Sequence, residues 1–456
     1  MVQRFTMEEH AASKEGHISA MGKKIFFRTV LVALGLIVAL VAAFLIWYET
    51  TSYRPGDTDP SPILLSGATV LTGPELTPTR NIDILVEDGR ITGVGPDLVG
   101  DAPADVEIRD LSGMTLLPGL IDLHVHLGRE IESGADPFGA LDMPGLIAHY
   151  SRYLPEARRD LLAAGVTTVR DLGNETPFIF ELRDGIADGS LEGPRVFAAG
   201  TLFTTAGGHP VQTIFGGDLE ASPSLTPDTP EQARQEVRRL VEDGADLIKV
   251  IQERGIENQP LDPIPVDVLT AIVEETHALG LPVVAHWGRL DDLSEVRAAG
   301  VDELVHLESR DLMDGWPPEL LAEVVDSGIP VTPSMIVAAE NGPPELRGQM
   351  IRQSTEFHDA GGTLLAGSDA GMPGVGFGTG LQRELALLVE AGLSPTEALQ
   401  VATSAAARQL GRPELGEIRE GAIADLVAVE GSPHEEITEI AEVRLVLRDG
   451  RVVFTG

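Results

Sequence analysis

Six side chains that can bind metal ions follow or end apolar runs of this sequence. They are His124, His126, Lys249, His286, His306 and Asp369. His124 and His126 end the run from Leu120, and residues i and i+2 of a β-strand point to the same side, so both imidazoles can reach one ion. Because isolated burial of imidazoles and charges is costly, a metal cluster would satisfy all six side chains at once.

Lys249 is the most informative of the six. Only four of the 33 lysines and arginines are lysines, and Lys249 is the single lysine after Lys24, inside the apolar run Ala245 to Ile251. Desolvation favours a neutral amine, whereas a guanidinium keeps its proton. A neutral amine can react with carbon dioxide, and the resulting carbamate has two oxygens that can bridge two metal ions. The alternative is a composition bias, with Lys249 extending from a strand end to solvent.

The predicted site contains two divalent ions. His124, His126 and Asp369 are expected on one ion, and His286 and His306 on the other, with carbamylated Lys249 and a hydroxide between them. Imidazole and carboxylate ligands suit zinc, with manganese, cobalt, nickel and iron as alternatives. Two ions about 3.5–4 Å apart lower the pKa of bridging water and polarise a carbonyl. Asp369 can take the hydroxide proton and pass it to the leaving group, so we expect hydrolysis without a covalent enzyme intermediate.

The elements that must position these groups alternate between strand-like and helical patterns. Such alternation predicts a parallel α/β fold, and a barrel of eight units takes about 250 residues, with catalytic groups at the carboxyl ends of its strands. Near both ends of the chain, Asp88-Gly89 and Asp449-Gly450 mark hairpin turns. We therefore predict a TIM-like (β/α)8 barrel with a small composite β-sandwich domain built from both ends of the soluble part, preceded by one transmembrane helix.

Composition narrows the class of partner. The net charge is -38, from 71 acidic against 33 basic residues, so nucleic acid is excluded as an expected partner. The sequence has no dinucleotide-type GxGxxG, Walker phosphate loop or GxSxG elbow, and it contains no cysteine for a thiolate ligand or a disulfide. We expect a small-molecule substrate. The sequence gives no oligomeric state and is compatible with a homo-oligomer.

Residues Thr29 to Tyr48 form a run of 20 residues without a charge, which is long enough to cross a bilayer as a helix. Lys23, Lys24 and Arg28 precede it, so the amino terminus is expected in the cytoplasm and the catalytic domain outside. A cleaved signal peptide, which would release a secreted protein, is the alternative. The predicted organisation is a cytoplasmic tail (1–28), a transmembrane anchor (29–48), a linker (49–62), the first part of the β-sandwich (63–115), the barrel (116–412) and the second part of the β-sandwich (413–456).

Several motifs resemble those of the amidohydrolase superfamily of metal-dependent hydrolases. The resemblance extends from Ile63 to Gly456 and is strongest with the imidazolonepropionase-like group, which includes carbamylated-lysine dipeptidases. Its motifs are Pro118 to His126, Gly165 to Asp171, Gly244 to Lys249, Val284 to His286, Ala299 to His306 and Ala366 to Ala370. The resemblance implies a TIM-like barrel with a composite β-sandwich domain and the metal roles given above.

The resemblance also implies a reaction class. Imidazolonepropionase itself and the mononuclear deaminases lack the bridging lysine, so Lys249 favours a binuclear hydrolase of amide or peptide-like C–N bonds, with a dipeptide or N-acyl amino acid as substrate. The alternatives are a lactonase or other ester hydrolase, and a non-catalytic binding protein on the same scaffold.

His209 follows two glycines where the family pattern places a substrate-contacting histidine, with a turn histidine as the alternative. Trp287 either narrows the pocket or packs against the next helix, and Arg170 forms either a core ion pair or a clamp for a substrate carboxylate.

Overall fold

The computed structural model describes residues 62–100, 102–128, 154–307 and 309–456, together with Gly35, Val38, Val41 and Tyr53. Tyr53 and the described residues after it belong to one compact unit. The predicted cytoplasmic tail, the transmembrane anchor and most of the linker lie outside the described residues; within the anchor, Gly35, Val38 and Val41 are helical. Among the helices that the structure describes, none has both the length and the apolar character needed to cross a bilayer.

The described strands are mostly short and are numbered in chain order. They are β1 (Ile63–Thr72), β2 (Thr77–Glu87), β3 (Arg90–Gly95), β4 (Glu107–Asp110), β5 (Met114–Pro118), β6 (Leu120–Val125), β7 (Val166–Asp171), β8 (Arg195–Ala198), β9 (Leu202–Phe203), β10 (Ser224–Leu225), β11 (Ile248–Gln252), β12 (Gly255–Ile256), β13 (Gln259–Pro260), β14 (Val283–Trp287), β15 (Glu303–Val305), β16 (Val331–Thr332), β17 (Leu426–Glu430), β18 (Val443–Arg448) and β19 (Arg451–Thr455).

The described α-helices are numbered in the same way. They are α1 (Leu154–Ala163), α2 (Phe178–Ala187), α3 (Pro230–Glu242), α4 (Val266–Ala278), α5 (Leu290–Ala299), α6 (Pro318–Asp326), α7 (Met335–Asn341), α8 (Pro344–Asp359), α9 (Thr379–Glu390), α10 (Pro395–Val401) and α11 (Ser404–Gln409). Short 3-10 helices cover Leu98–Gly100, Arg310–Leu312 and Ile437–Ala441.

Strands from the beginning and the end of the described domain share one eight-stranded sheet. Its order is β19-β18-β17-β5-β1-β2-β3, and β4 pairs with β1. The join between the two sequence segments is the antiparallel pair β5–β17, in which Leu117 lies opposite Val427. Both hairpins turn through Asp-Gly pairs with positive φ, 49° at Asp88 and 49° at Asp449, which is the conformation that a two-residue hairpin turn requires.

Eight parallel segments form a closed ring. Strands β6, β7 and β8 pair in parallel, as do β11, β14, β15 and β16. The amide of Asp246, just before β11, donates to the carbonyl of Ala198 in β8 at 3.0 Å. The eighth segment, 364–370, closes the ring: the amide of Leu365 donates to Val331 at 2.9 Å and the amide of Leu123 in β6 donates to Ala366 at 3.1 Å. The predicted α/β fold is confirmed.

Local sequence explains where the ring strands and their helices occur. Every residue of β11 and of β14 is buried, as expected for parallel strands covered on both faces by side chains and helices. Helix α3 begins with Pro230 after the N-cap Thr229, whose hydroxyl accepts a hydrogen bond from the amide of Gln232 at 3.3 Å. Helix α10 begins in the same way with a capping box. The parallel pairing of the strands places their carboxyl ends at one face of the ring.

Candidate metal centre and active site

The carboxylate of Asp369 faces two imidazoles at the carboxyl ends of the ring strands. Its Oδ1 lies 3.2 Å from Nε2 of His124 and 3.2 Å from Nε2 of His126. The two histidines lie at the end of β6 and Asp369 ends the segment that closes the ring beside it, so neighbouring elements supply all three groups. The amide of Asp369 also donates to the carbonyl of His124 at 2.7 Å, which fixes the two elements relative to each other.

The other ring nitrogen of each histidine is engaged with the protein. Nδ1 of His126 lies 2.9 Å from the carbonyl oxygen of Gly173, which can only accept, so Nδ1 carries the proton and Nε2 has a free lone pair. Nδ1 of His124 lies 3.1 Å from the hydroxyl oxygen of Ser334. Protein metal ligands commonly have this arrangement, in which a partner fixes the tautomer and the orientation of the ring.

The remaining predicted histidines continue the same group. The ring centroid of His306 lies 5.0 Å from that of His124 and 4.8 Å from that of His286. The ring of His209 stacks on His286 with a centroid distance of 5.1 Å and an interplanar angle of 13°. Potential ligand atoms of His124, His306 and Asp369 all lie within 4.8 Å of one another. The structure therefore brings all five histidines and Asp369 together.

Lys249 is buried in β11, with 3% of its surface exposed, and does not extend to solvent. Burial lowers the pKa of its amine to about 7, while the Asp369 carboxylate opposes that shift. The Lys249 charge in turn helps to lower the pKa of both His124 and His306, which places the amine in the same electrostatic environment. An amine in this state is available in its neutral form near neutral pH, as carbamate formation requires.

Burial keeps the imidazoles of His124 and His306 neutral. It lowers the pKa of His124 and of His306 well below the usual range, and Lys249 and His286 respectively add to the effect. Burial also disfavours the charged form of His126, but its contact with Asp369 outweighs this and raises the pKa. Neutral imidazoles are the form that binds metal ions. The Asp369 carboxylate favours a positive charge beside His126.

The residues present fit a metal ion. Asp369 Oδ1 is buried and has no hydrogen-bond donor among the residues that the structure describes. The Asp369 Oδ1 and the two Nε2 atoms, each 3.2 Å from it, converge closely enough for one metal ion to contact all three. Imidazole nitrogen and carboxylate oxygen are the donors that zinc prefers, although the donor set alone does not select one metal.

A buried ion pair joins two strands of the ring. The guanidinium of Arg170 in β7 binds both carboxylate oxygens of Glu303 in β15, and its Nε donates to the carbonyl of Leu123 at 2.7 Å. Glu303 also accepts hydrogen bonds from Thr332 at 2.7 Å and Gln409 at 2.8 Å. Arg170 therefore forms the predicted core ion pair and is not free to bind a substrate carboxylate.

Two ligand candidates have a backbone conformation that is rare for residues other than glycine. The φ angle is 72° at His306 and 57° at Asp369, in the left-handed region. Hydrogen bonds hold the first: the His306 amide donates to Thr332 at 2.8 Å, and Trp287 Nε1 donates to the His306 carbonyl at 3.1 Å. Trp287 is fully buried, and its ring lies beside that of Trp316, with a centroid distance of 6.5 Å.

Sequence reasoning missed several residues that contact the predicted ligands. Glu253 Oε2 lies 3.2 Å from Nε2 of His286 and 3.9 Å from Nδ1 of His209. Ser334 contacts His124, and the buried Glu384 accepts hydrogen bonds from the amides of Met335 and Ile336, directly after Ser334. Glu253 could have been found, because it directly follows β11, the strand that contains Lys249.

The family assignment rests on a match over most of the domain. The family model described as the amidohydrolase family matches residues 115–453. The chain belongs to the amidohydrolase family. The predicted superfamily and the prediction of a hydrolytic enzyme are thereby confirmed.

Relatives of known identity cover most of the chain. Ochratoxinase from Aspergillus niger is 27% identical over 435 residues, which span 85% of this chain and 85% of the relative. Imidazolonepropionase from Nocardia farcinica is 27% identical over 397 residues, covering 81% of this chain and 90% of the relative. Among solved structures, a Xaa-Pro dipeptidase with methionine in its active site matches with a TM-score of 0.72 and 25% identity, over 87% of this chain and 100% of that chain.

Proposed function

We propose that this chain is a metal-dependent amidohydrolase that cleaves an amide or peptide-like C–N bond in a small substrate, a dipeptide or an N-acyl amino acid. The observation that carries the proposal is the Asp369 carboxylate facing the Nε2 atoms of His124 and His126 at 3.2 Å. The Xaa-Pro dipeptidase among the similar structures is named for a peptide bond, which agrees with this class of bond.

The proposed ligands are those expected from the sequence. His124, His126 and Asp369 would hold one divalent ion, His286 and His306 a second, and carbamylated Lys249 would bridge them; zinc is the metal that we propose. When bound, such a pair supplies a nucleophile from water at neutral pH and polarises the scissile carbonyl. The buried position of Lys249 and the lowered pKa of its amine, about 7, support carbamate formation.

Side chains of the protein would transfer the proton and contact the substrate. Asp369 can accept a proton from the attacking water and deliver it to the leaving nitrogen, since its Oδ1 has no donor among the described residues. His209 is partly accessible, with 22% of its side chain exposed, and stacks on His286, so we propose that it contacts the substrate. The buried pair of Arg170 and Glu303 joins β7 to β15.

One experiment tests the proposal. The purified full-length chain would be prepared with zinc and bicarbonate, its metal content measured, and turnover screened with dipeptides, N-acyl amino acids and lactones. About two equivalents of metal with cleavage of a C–N bond are expected. Turnover of lactones alone would replace the proposal with an ester hydrolase, and less than one equivalent of tightly held metal without turnover would support a non-catalytic binding protein.

We further propose that residues Thr29 to Tyr48 anchor the chain in a membrane, with the amino terminus in the cytoplasm and the catalytic domain on the other side. The uncharged run and the preceding Lys23, Lys24 and Arg28 support the proposal. Membrane fractionation and amino-terminal sequencing of the mature protein test it. A mature protein that begins after Tyr48 and is found outside the cell would show that the segment is a cleaved signal instead.

A further inference from the structure

We propose that Glu253 binds the α-ammonium group of the substrate, so that this enzyme prefers dipeptides with a free amino terminus over N-acylated amino acids. The inference rests on the proposed amidohydrolase function and narrows its substrate class. It concerns a side chain that belongs to none of the predicted ligands and that lies at the edge of the metal centre.

The position of Glu253 follows from the register of β11. Lys249 and Ile251 alternate along β11, which ends at Gln252, and Ile251 pairs with His286 in β14. Glu253 is the next residue after the strand, and its carboxylate turns towards His286. Lys249 is buried, while Glu253 lies further along the chain and has 21% of its side chain exposed. Glu253 therefore lies on the solvent side of the proposed carbamate, where a substrate would enter.

Only one of the two oxygens of the Glu253 carboxylate contacts the neighbouring imidazoles. Oε2 is the atom that contacts both imidazoles, at 3.2 Å from His286 and 3.9 Å from His209. Oε1 has no hydrogen-bond partner among the described residues, and within the same residues Glu253 has no arginine or lysine as an ion-pair partner. The guanidinium of the next residue, Arg254, is instead bound to Asp292 and Glu295. Among the described residues, no arginine or lysine offsets the negative charge of this carboxylate.

The Glu253 side chain has the room that this role requires, and a glutamate is anionic at neutral pH. Gly288 leaves room for the side chain: a Cβ at this position would lie 2.6 Å from Cγ of Glu253. The φ angle of Gly288 is not in the left-handed region, so it is the space and not the backbone conformation that favours glycine there.

The chemistry of the substrate matches this charge. A scissile carbonyl placed at the proposed ligands lies beside His286, and the α-amine of a dipeptide is attached one carbon away from that carbonyl. A protonated amine there can donate a charge-assisted hydrogen bond to Oε1, whereas an acetylated amine is neutral and bulkier. A lactone or an N-acyl amino acid has no cation at this position. The geometry therefore favours a substrate with a free amino terminus.

The test compares one dipeptide that the enzyme cleaves with the same dipeptide carrying an acetylated amine. Wild-type holoenzyme is expected to prefer the free amine. Glu253→Gln should lower kcat/KM for the free amine, mostly through KM, by about 10- to 100-fold more than it lowers kcat/KM for the acetylated substrate. Glu253→Asp should keep part of the preference, and Glu257→Gln, which changes an exposed carboxylate nearby, should keep all of it.

Two outcomes would overturn the inference while leaving the proposed hydrolase intact. One is a wild-type enzyme that cleaves the acetylated substrate as well as or better than the free amine. The other is an equal loss for both substrates in Glu253→Gln together with loss of bound metal, which is the pattern of a residue that only orients His286. An enzyme that binds metal but cleaves no C–N bond in either substrate would instead refute the proposed function itself.

Discussion

The hydroxyl oxygen of Ser334 lies 3.1 Å from Nδ1 of His124, although the two residues are 210 positions apart in the sequence. Ser334 has a φ angle of 50° and directly precedes α7, whose first two amides are bound by the buried Glu384. The start of this helix is thus fixed in a position that directs a hydroxyl at a proposed metal ligand.

Removing this contact is expected to weaken metal binding. Ser334→Ala leaves Nδ1 of His124 without its partner, and loss of such a contact typically costs about 10- to 100-fold in metal affinity. Competition with a chelator would measure the affinity, with the exposed Ser190→Ala as a control. Equal affinity in Ser334→Ala and wild type would show that the hydroxyl does not hold the ring.

The carbamate role of Lys249 predicts a specific rescue. Lys249→Ala should lose most activity, and bicarbonate with a short carboxylic acid should restore part of it by supplying the missing oxygens. Turnover with and without these additions, in samples of known metal content, would measure the effect. Near-normal turnover in Lys249→Arg would contradict the role, because a guanidinium cannot form that bridge.

Reconstitution should depend on pH in a predictable direction. Burial lowers the pKa of Lys249 to about 7 in the metal-free protein, so the amine becomes neutral as the pH rises through 7. Raising the pH from 6 to 8 should increase the neutral fraction, and with it the initial rate of activation by zinc and bicarbonate, roughly tenfold. Recovery of activity over time at each pH would measure this rate, and a rate that falls across the interval would contradict the prediction.

The same shift has a consequence for stability. The unfolded chain holds the Lys249 proton up to its usual pKa of 10.5, whereas the folded metal-free chain releases it near pH 7. The contribution of this residue to the free energy of unfolding should therefore rise from pH 7 towards 10.5 and be absent in Lys249→Met. Urea denaturation of the metal-free wild type and variant at several pH values would show the difference.

Breaking the buried ion pair should destabilise the domain. Arg170→Met leaves the Glu303 carboxylate, which is fully buried, without its cation, and the loss is expected to be about 3–5 kcal/mol. The double variant Arg170→Met with Glu303→Leu should recover part of that loss, because no uncompensated charge remains. Urea denaturation would provide the free energies, and a loss below about 1 kcal/mol in the single variant would show that the pair is not a structural element.

Sequence reasoning identified the ligand candidates because each of them ends an apolar run. The His124-x-His126 spacing, the isolated Lys249 and the polar ends of later strands are local signals, and parallel strands bring their carboxyl ends to one face. The same logic extends to Glu253, which directly follows β11 and contacts His286. The prediction stopped at Ile251, where the apolar run ends, and the charged residue beyond it was overlooked.

The supporting contacts had no such local signal. Arg170 and Glu303 are 133 positions apart, and their pairing depends on which strands face each other across the interior of the ring. The role of Trp287 was likewise open, because its indole could equally have faced the substrate; in the structure it donates a hydrogen bond to the carbonyl of His306. The pairing of Arg170 with Glu303 and the direction of the Trp287 indole depend on packing across the ring. Periodicity along a single strand does not encode that packing.

The pairing of β5 with β17 has a consequence for biosynthesis. A ribosome must translate about 300 residues after β5 before the strand that covers its edge emerges. Until then, β5 presents unpaired backbone groups, and a chain interrupted before Leu426 would keep that edge open to strands from other molecules. Premature termination near the carboxyl end should therefore produce aggregates and not a shortened enzyme.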